Sequence, residues 1–320
     1  SARGPRAASA CRASGSRVYN AFFEFASDPF RVNPDPRFLF MSEGHAEALA
    51  TLVYAVQERK GFITLTGEVG TGKTTILNAL LSRLESTVQT AFVFNTSLEV
   101  EDLFATLLEE LEIEPVVPFR KSAALSRLNH HLIDRLERGL KTLLIVDEAQ
   151  NLSEALLEEI RMLSNLETPQ SKLIQIMLVG QPELAEKLAQ PQLRQLRQRV
   201  ELRHSIRPLH AQETAAYMRE RQSVAGHPRG DVFTAAAERA VYRYSNGIPR
   251  VINVLCDNAL IVAFSRQSKR VSAEMVECAA RDIGLVEGAA SKPTGQEREA
   301  GERPAKPGFL RRLLRRRNLE

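Results

Sequence analysis

The sequence predicts an α/β fold: a parallel sheet with helices on both faces, followed by a separate helical module. Three observations predict it. Short apolar runs alternate with helically periodic stretches between about residues 62 and 205, the signature of repeated βα units. One run enters a helix through a loop with three glycines, in GFITLTGEVGTGKTTILNALL, Gly61 to Leu81. From Pro208 onward the strand signals stop and only helical patterns remain.

Residues 1–17 carry four arginines, no acid and no periodicity, so they read as disordered; one reading starts the natural product at Val18, the other keeps 1–17 as part of it. DPFRVNPDPRFLF, residues 28–40, is Pro-rich and extended, with Phe30, Phe38 and Phe40 to pack against a body. Leu49, Leu52, Val53 and Val56 then follow i, i+3, i+4, i+7 spacing, which predicts an amphipathic helix over 43–59. Residues 18–60 therefore form an amino-terminal segment and helix. Within 61–207, strands are expected near 62–66, 91–95, 142–146, 173–179 and 200–205. Helices are expected near 72–86, 99–112, 121–138 and 153–167. Helices near 210–224, 234–245, 249–266 and 272–283 make a module over 208–288. Residues 289–320 turn to Pro, Gly, Glu and Arg and read as a disordered basic tail.

Composition narrows the class. The 320 residues are 43% hydrophobic and 26% charged, ordinary for a globular protein. No apolar run approaches the ~18 residues of a membrane-spanning helix. Cys11, Cys256 and Cys278 lie far apart and form no metal-like pair, which fits reduced thiols in a cytoplasmic protein. The six histidines show no metal spacing, and His130 and His131 read as solvent-facing. The net charge of +4 comes from the ends: residues 1–17 carry +4 and 292–320 carry +5, leaving 18–291 at −5. That argues against nucleic-acid binding through a broadly positive body.

Gly67 to Thr74, GEVGTGKT, fits G-x-x-x-x-G-K-[ST] between a strand and a helix. Glycines let the backbone N–H groups of Gly67, Glu68, Val69, Gly70, Thr71 and Gly72 curl around an anion. The helix behind, entered through Lys73, Thr74 and Thr75, adds its positive dipole end. Lys73 can reach the β- and γ-phosphates of a nucleotide, and the Thr74 hydroxyl can ligate Mg²⁺. TLLIVDEAQNL, residues 142–152, ends a buried strand in Asp147 and Glu148. Adjacent carboxylates there need compensation. Mg²⁺ supplies it, with Asp147 holding the metal's water shell and Glu148 polarising an attacking water; the alternative is an acidic helix cap. Gln181 ends the strand of IMLVGQPEL, where it is either a turn residue or a group that senses phosphate or positions water. Of Arg194, Arg197, Arg199, Arg203 and Arg207, most suit a solvated face; one could act as a finger to a neighbour's nucleotide. SNGIPRVINVL, residues 245–255, places Arg250 in the first turn of a helix, where the dipole disfavours a cation unless a phosphate lies nearby.

The phosphate loop, DEAQ, GQPEL, the arginine of QRV and GIPR, in this order, resemble an AAA+ ATPase. FFEFASDPFRVNPDPRFLF with GHAEALATLVYAV upstream narrows the resemblance to the ExeA-like, general secretion pathway protein A family, over roughly Val18 to Leu285. The resemblance implies a three-layer P-loop AAA+ domain with sheet order 5-1-4-3-2 and a helical lid. It implies Gln181 as sensor 1, Arg250 as sensor 2 from the lid and Arg199 as the trans-acting finger. It implies ATP and Mg²⁺, a homo-oligomer, and work beside an unnamed protein partner in secretion, pilus or exopolysaccharide machinery. Longer members continue into a membrane span and a periplasmic peptidoglycan-binding domain. Neither stands in these 320 residues, so a cytoplasmic ATPase module, at most peripheral to the inner membrane, is expected.

A second reading is an ATP-controlled DNA-binding switch like the ATPases that assist transposition; the acidic body counts against it, while the basic ends could bind DNA nonspecifically. A third, a nucleotide-binding assembly protein with negligible turnover, is weakened by Glu148. GFLRRLLRRRNLE, residues 308–320, reads equally as a short basic interfacial helix making weak contact with anionic membrane and as a solvated tail.

Overall fold

The computed structural model describes residues 18–32, 35–84, 87–94, 98–227 and 229–285. The readings for 1–17, for the end of the helical module and for the tail, including 308–320, lie outside these residues.

Helix α1, Glu43–Gln57, is capped by Ser42, whose side chain accepts from the His45 N–H. It leads into β1, Phe62–Gly67, which is buried along its whole length. Even Thr64 and Thr66 are covered, because helices lie on both faces of a parallel sheet. Helix α2, Lys73–Leu81, follows the glycine loop. Then come β2, Val88–Val93, α3, Val100–Glu110, α4, Lys121–Glu137, and β3, Lys141–Val146. Helix α5, Glu154–Leu163, β4, Gln175–Gly180, α6, Pro182–Ala189, α7, Arg194–Arg199, and β5, Val200–Ile206, complete the domain.

All pairings are parallel and the order is β2-β3-β4-β1-β5, the expected 5-1-4-3-2 seen from the other edge. Edge strand β5 alternates exposed and half-buried residues until Ile206. Ile63 and Leu65 of β1 share one apolar cluster with Leu49 and Leu52 of α1 and Ile76 and Leu80 of α2. Phe104, Leu128, Leu157 and Leu184, from α3 to α6, share a cluster on the opposite face with Leu144 and Leu178. Each such side chain contributes about 1.5–3 kcal/mol by leaving water.

The lid is α8, Ala211–Val224, α9, Ala235–Ser245, α10, Pro249–Ser265, and α11, Ala273–Asp282. Its core also holds Tyr19, Phe23, Phe25, Phe30 and Phe38. The body against which the Phe-rich segment packs is thus the lid, while α1, next in sequence, packs on the sheet. Arg221 of α8 ties the two together: Nε donates to Pro29 O at 2.6 Å and Nη2 to Arg31 O at 3.1 Å. The guanidinium also lies 4.7 Å from the Phe38 ring centroid.

Element bounds differ from expectation in understandable ways. Strand β2 begins at Val88, ahead of the apolar run, because polar Gln89 and Thr90 pair with β3. Helix α2 stops at Leu81, not near 86. Helices α6 and α7 are too short to show periodicity. His131 does not simply face solvent: it is half-buried and hydrogen-bonded to Gln89 Oε1 at 3.1 Å.

Candidate active site

The parallel sheet places the ends of β1, β3 and β4 along one edge, where open α/β sheets bind ligands. After β1 the chain must turn sharply into α2. Gly70 and Gly72 take φ of 83° and 104°, conformations open to glycine and costly for other residues. Both are also in tight contact. A Cβ on Gly70 would stand 2.4 Å from the Arg250 Cβ, and one on Gly72 would stand 2.9 Å from His45 Nε2.

Lys73 is 8% exposed. Its ammonium donates to Gly67 O at 2.8 Å and Glu68 O at 3.1 Å. Burial pushes its pKa down, and the nearby carboxylates of Glu148, Asp147 and Glu68 act against that. The Thr71 hydroxyl closes the loop onto Glu68 O at 2.8 Å. Thr74 and Thr75 are exposed on the first turn of α2.

Asp147 and Glu148 follow β3. Burial raises the Asp147 pKa, as does the neighbouring Glu148 charge, while the Glu148 N–H donated to Oδ1 at 2.9 Å opposes it. Glu148 takes φ of 51°, a strained conformation of the kind that concentrates at working sites. Its Oε2 accepts from Gln150 Nε2 at 2.6 Å and Gln181 Nε2 at 3.2 Å. The Gln150 bond, followed by the Gln181 bond, lowers its pKa against the effect of burial. Gln150 also turns its Oε1 to the Gln181 N–H at 3.0 Å. The two glutamines thus hold the carboxylate ionised.

Helix α10 begins with Pro249, and the Arg250 N–H donates to Gly70 O at 3.2 Å. The lid is therefore bonded directly to the phosphate loop, with the Arg250 side chain exposed beside it.

A cleft of about 650 Å³ lies between these parts, a size typical of small-molecule sites. Val69 to Thr75, Asp147, Glu148 and Arg250 line it, as do Phe38, Leu39, Phe40, Tyr217 and Asn253. Gly67 and Glu68 contribute through their carbonyls to Lys73, and Gln181 through Glu148. Arg199 is not at this cleft: its Nη1 donates to Ser164 Oγ at 3.0 Å.

Three residues at the site had no role assigned from sequence. His45 is 6% exposed and places Nε2 at 2.8 Å from Thr71 O and Nδ1 at 2.7 Å from Ser42 Oγ. Thr71 O can only accept, so Nε2 carries the proton and the imidazole braces the loop from below. Gln150 stood inside DEAQ, and Asn253 one helical turn beyond Arg250, so position in a motif was the available signal for both.

The AAA domain family matches residues 56–188. General secretion pathway protein A of Aeromonas hydrophila is 43% identical over 270 residues, covering 83% of this chain and 48% of that protein. This chain belongs to the AAA+ ATPases. The ATPase is related to general secretion pathway protein A and spans about half the length of that relative. Its fold is shared with Cdc6p from Pyrobaculum aerophilum, at TM-score 0.59 and 18% identity over 78% of this chain and 71% of that one. A chain of Drosophila ORC, in a structure bound to DNA, matches at TM-score 0.62 and 17% identity, over 88% of this chain and 70% of that one.

Proposed function

We propose that the ATPase binds Mg²⁺-ATP in the cleft beneath the lid and hydrolyses it as a homo-oligomer serving envelope machinery. The observation that carries the catalytic part is one cleft lined by the phosphate loop, the Asp147–Glu148 pair and Arg250 of the lid. The groups present suit the ligand. A buried ammonium and a helix start face the triphosphate end, and a carboxylate with a raised pKa gains from a cation. Thr74 and Asp147 would hold the Mg²⁺, whose charge would help neutralise the phosphates.

The chain's own groups then divide the work. Lys73 and the N–H groups of Gly70 to Thr74 bind the β- and γ-phosphates. Glu148, kept ionised by Gln150 and Gln181, accepts a proton from the attacking water. Gln181 donates to that carboxylate, which suits a sensor of the γ-phosphate. Arg250 couples phosphate occupancy to the lid through the Gly70 bond. Arg199, away from its own cleft, suits a finger presented to a neighbouring subunit.

Relation to general secretion pathway protein A supports a secretion-type envelope role, with an unidentified protein partner and a cytoplasmic site at the inner-membrane face. No helix among the described residues is long and apolar enough to cross a membrane. The test is hydrolysis and binding measured together. Lys73→Ala should lose ATP binding, and Glu148→Gln should bind ATP yet turn over at least ~100-fold more slowly. Near-normal turnover in Glu148→Gln removes Glu148 as the base. A monomer in light scattering with ATP sinks the oligomer. DNA-stimulated turnover, with none from phospholipid, would bring the DNA-switch reading forward.

A further inference from the structure

The cleft wall holds one side-chain amide whose bonding to protein is half complete. Asn253 is 6% exposed, lies on α10 one turn beyond Arg250, and lines the cleft. Its Oδ1 accepts from the Tyr217 hydroxyl at 2.9 Å. Its Nδ2 has no protein acceptor among the described residues. That donor stays open to the cleft, where a ligand acceptor could replace water as its partner.

The orientation of that amide is fixed by donor and acceptor arithmetic. Arg221 can only donate, and its Nη1 gives a hydrogen to the Tyr217 oxygen at 3.0 Å. The phenol has one proton of its own, and Asn253 is its acceptor among the described residues. The Asn253 atom facing Tyr217 must therefore be oxygen, which leaves the NH₂ to the cleft. Arg221 is itself fixed, since its other donors hold Pro29 O and Arg31 O. The relay Arg221→Tyr217→Asn253 thus aims one donor into the pocket from a rigid, 5–7% exposed support.

We propose that Asn253 is a nucleoside-recognising residue, donating through Nδ2 to an acceptor on the adenosine end of ATP, a purine ring nitrogen or a ribose oxygen. This rests on the assignment of the cleft to ATP, with the triphosphate on the glycine loop. The amino-terminal segment then sets nucleoside selectivity indirectly, because its carbonyls anchor the arginine that starts the relay.

The test is calorimetric binding of ATP and of tripolyphosphate, which has no nucleoside, to the full chain. Asn253→Asp keeps the oxygen that Tyr217 needs and replaces only the donor. Asn253→Ala removes both atoms without adding charge. ATP should bind about tenfold more weakly to Asn253→Ala and more weakly still to Asn253→Asp, where lone pair meets lone pair. Tripolyphosphate should bind Asn253→Ala as it binds the wild type. 1-Deaza-, 3-deaza- and 7-deaza-ATP and 2′-deoxy-ATP identify the acceptor: the analogue lacking it loses affinity for the wild type and none further for Asn253→Ala. Equal weakening of ATP and tripolyphosphate in Asn253→Ala, or ATP affinity within twofold of wild type in both variants, overturns the proposal while leaving the ATP site intact. Failure of the wild type to bind either compound overturns the site assignment, and this proposal with it.

Discussion

Adding one methyl group at Gly70 tests whether the bond between lid and phosphate loop matters to turnover. In Gly70→Ala two costs arise. The residue sits at φ 83°, and an L-side chain in that region costs about 1–2 kcal/mol. The new Cβ would also stand 2.4 Å from the Arg250 Cβ, against a normal carbon–carbon contact of ~3.5–4.0 Å. The start of α10 must retreat by about 1 Å, breaking the Arg250 N–H to Gly70 O bond, worth roughly 0.5–1.5 kcal/mol net. Together the loss is about 1.5–3.5 kcal/mol, or roughly 3–14 °C in melting temperature. A 1 Å displacement of a catalytic part costs ~100-fold, so kcat should fall by about that factor. Gly139→Ala supplies the control: φ is 75° but nothing lies within 4 Å of its Cβ. It should lose about 1–2 kcal/mol of stability and keep its turnover. Steady-state ATP hydrolysis and calorimetric melting of both variants decide the matter. Turnover of Gly70→Ala within a few-fold of Gly139→Ala would refute the claim that loop and lid act as one unit.

Replacing Gln150 with Leu removes the main cause of the lowered Glu148 pKa, so Glu148 should stay protonated to a higher pH and the acid limb of the kcat/KM profile should move up; an unmoved limb shows that Gln150 does not set the ionisation of Glu148. His45→Ala leaves Thr71 O without its bond and opens space under Gly72; KM for ATP should rise about tenfold, the scale of one hydrogen bond with its buried partner left unmade, and an unchanged KM means the loop holds its shape without the brace. Arg199→Ala should bind ATP normally and fail in hydrolysis, and mixing it with Glu148→Gln should restore some turnover, because one mixed interface pairs an intact Glu148 with an intact Arg199; the same rescue by Arg197→Ala instead would move the finger by two residues.

The phosphate end of the site was legible because its chemistry is local. A glycine loop, a lysine and a helix start are consecutive, and Asp147–Glu148 contradict the apolar strand before them, so each announces itself without tertiary information. The nucleoside end was not legible for the opposite reason. Phe38, Tyr217 and Asn253 come from three distant stretches, and each alone reads as an ordinary core or helix residue. Composition marked the Phe-rich segment as one that packs on a body but could not say that it joins the lid core. Sheet order came with the family resemblance. Strand ends were set by pairing partners, as Gln89 and Thr90 show. Gln150 needed the structure because what matters is the carboxylate it meets, and His45 because its partner Thr71 is 26 positions away.

The docking of residues 18–40 on the lid has a mechanical consequence. The lid joins the sheet domain through two chain crossings, one between Phe38 in the lid core and α1, the other after β5. A body tethered by one crossing can swivel in any direction, as on a ball joint. A body tethered by two short crossings turns mainly about the line through them, as a door does. Any movement of Arg250 against Gly70 would therefore have a preferred direction. A turn about that line would carry with it every surface fixed to the lid, including the Tyr19 and Phe22 end of the segment, where Tyr19 bonds Asp257 and Lys269 sits over the Phe22 ring.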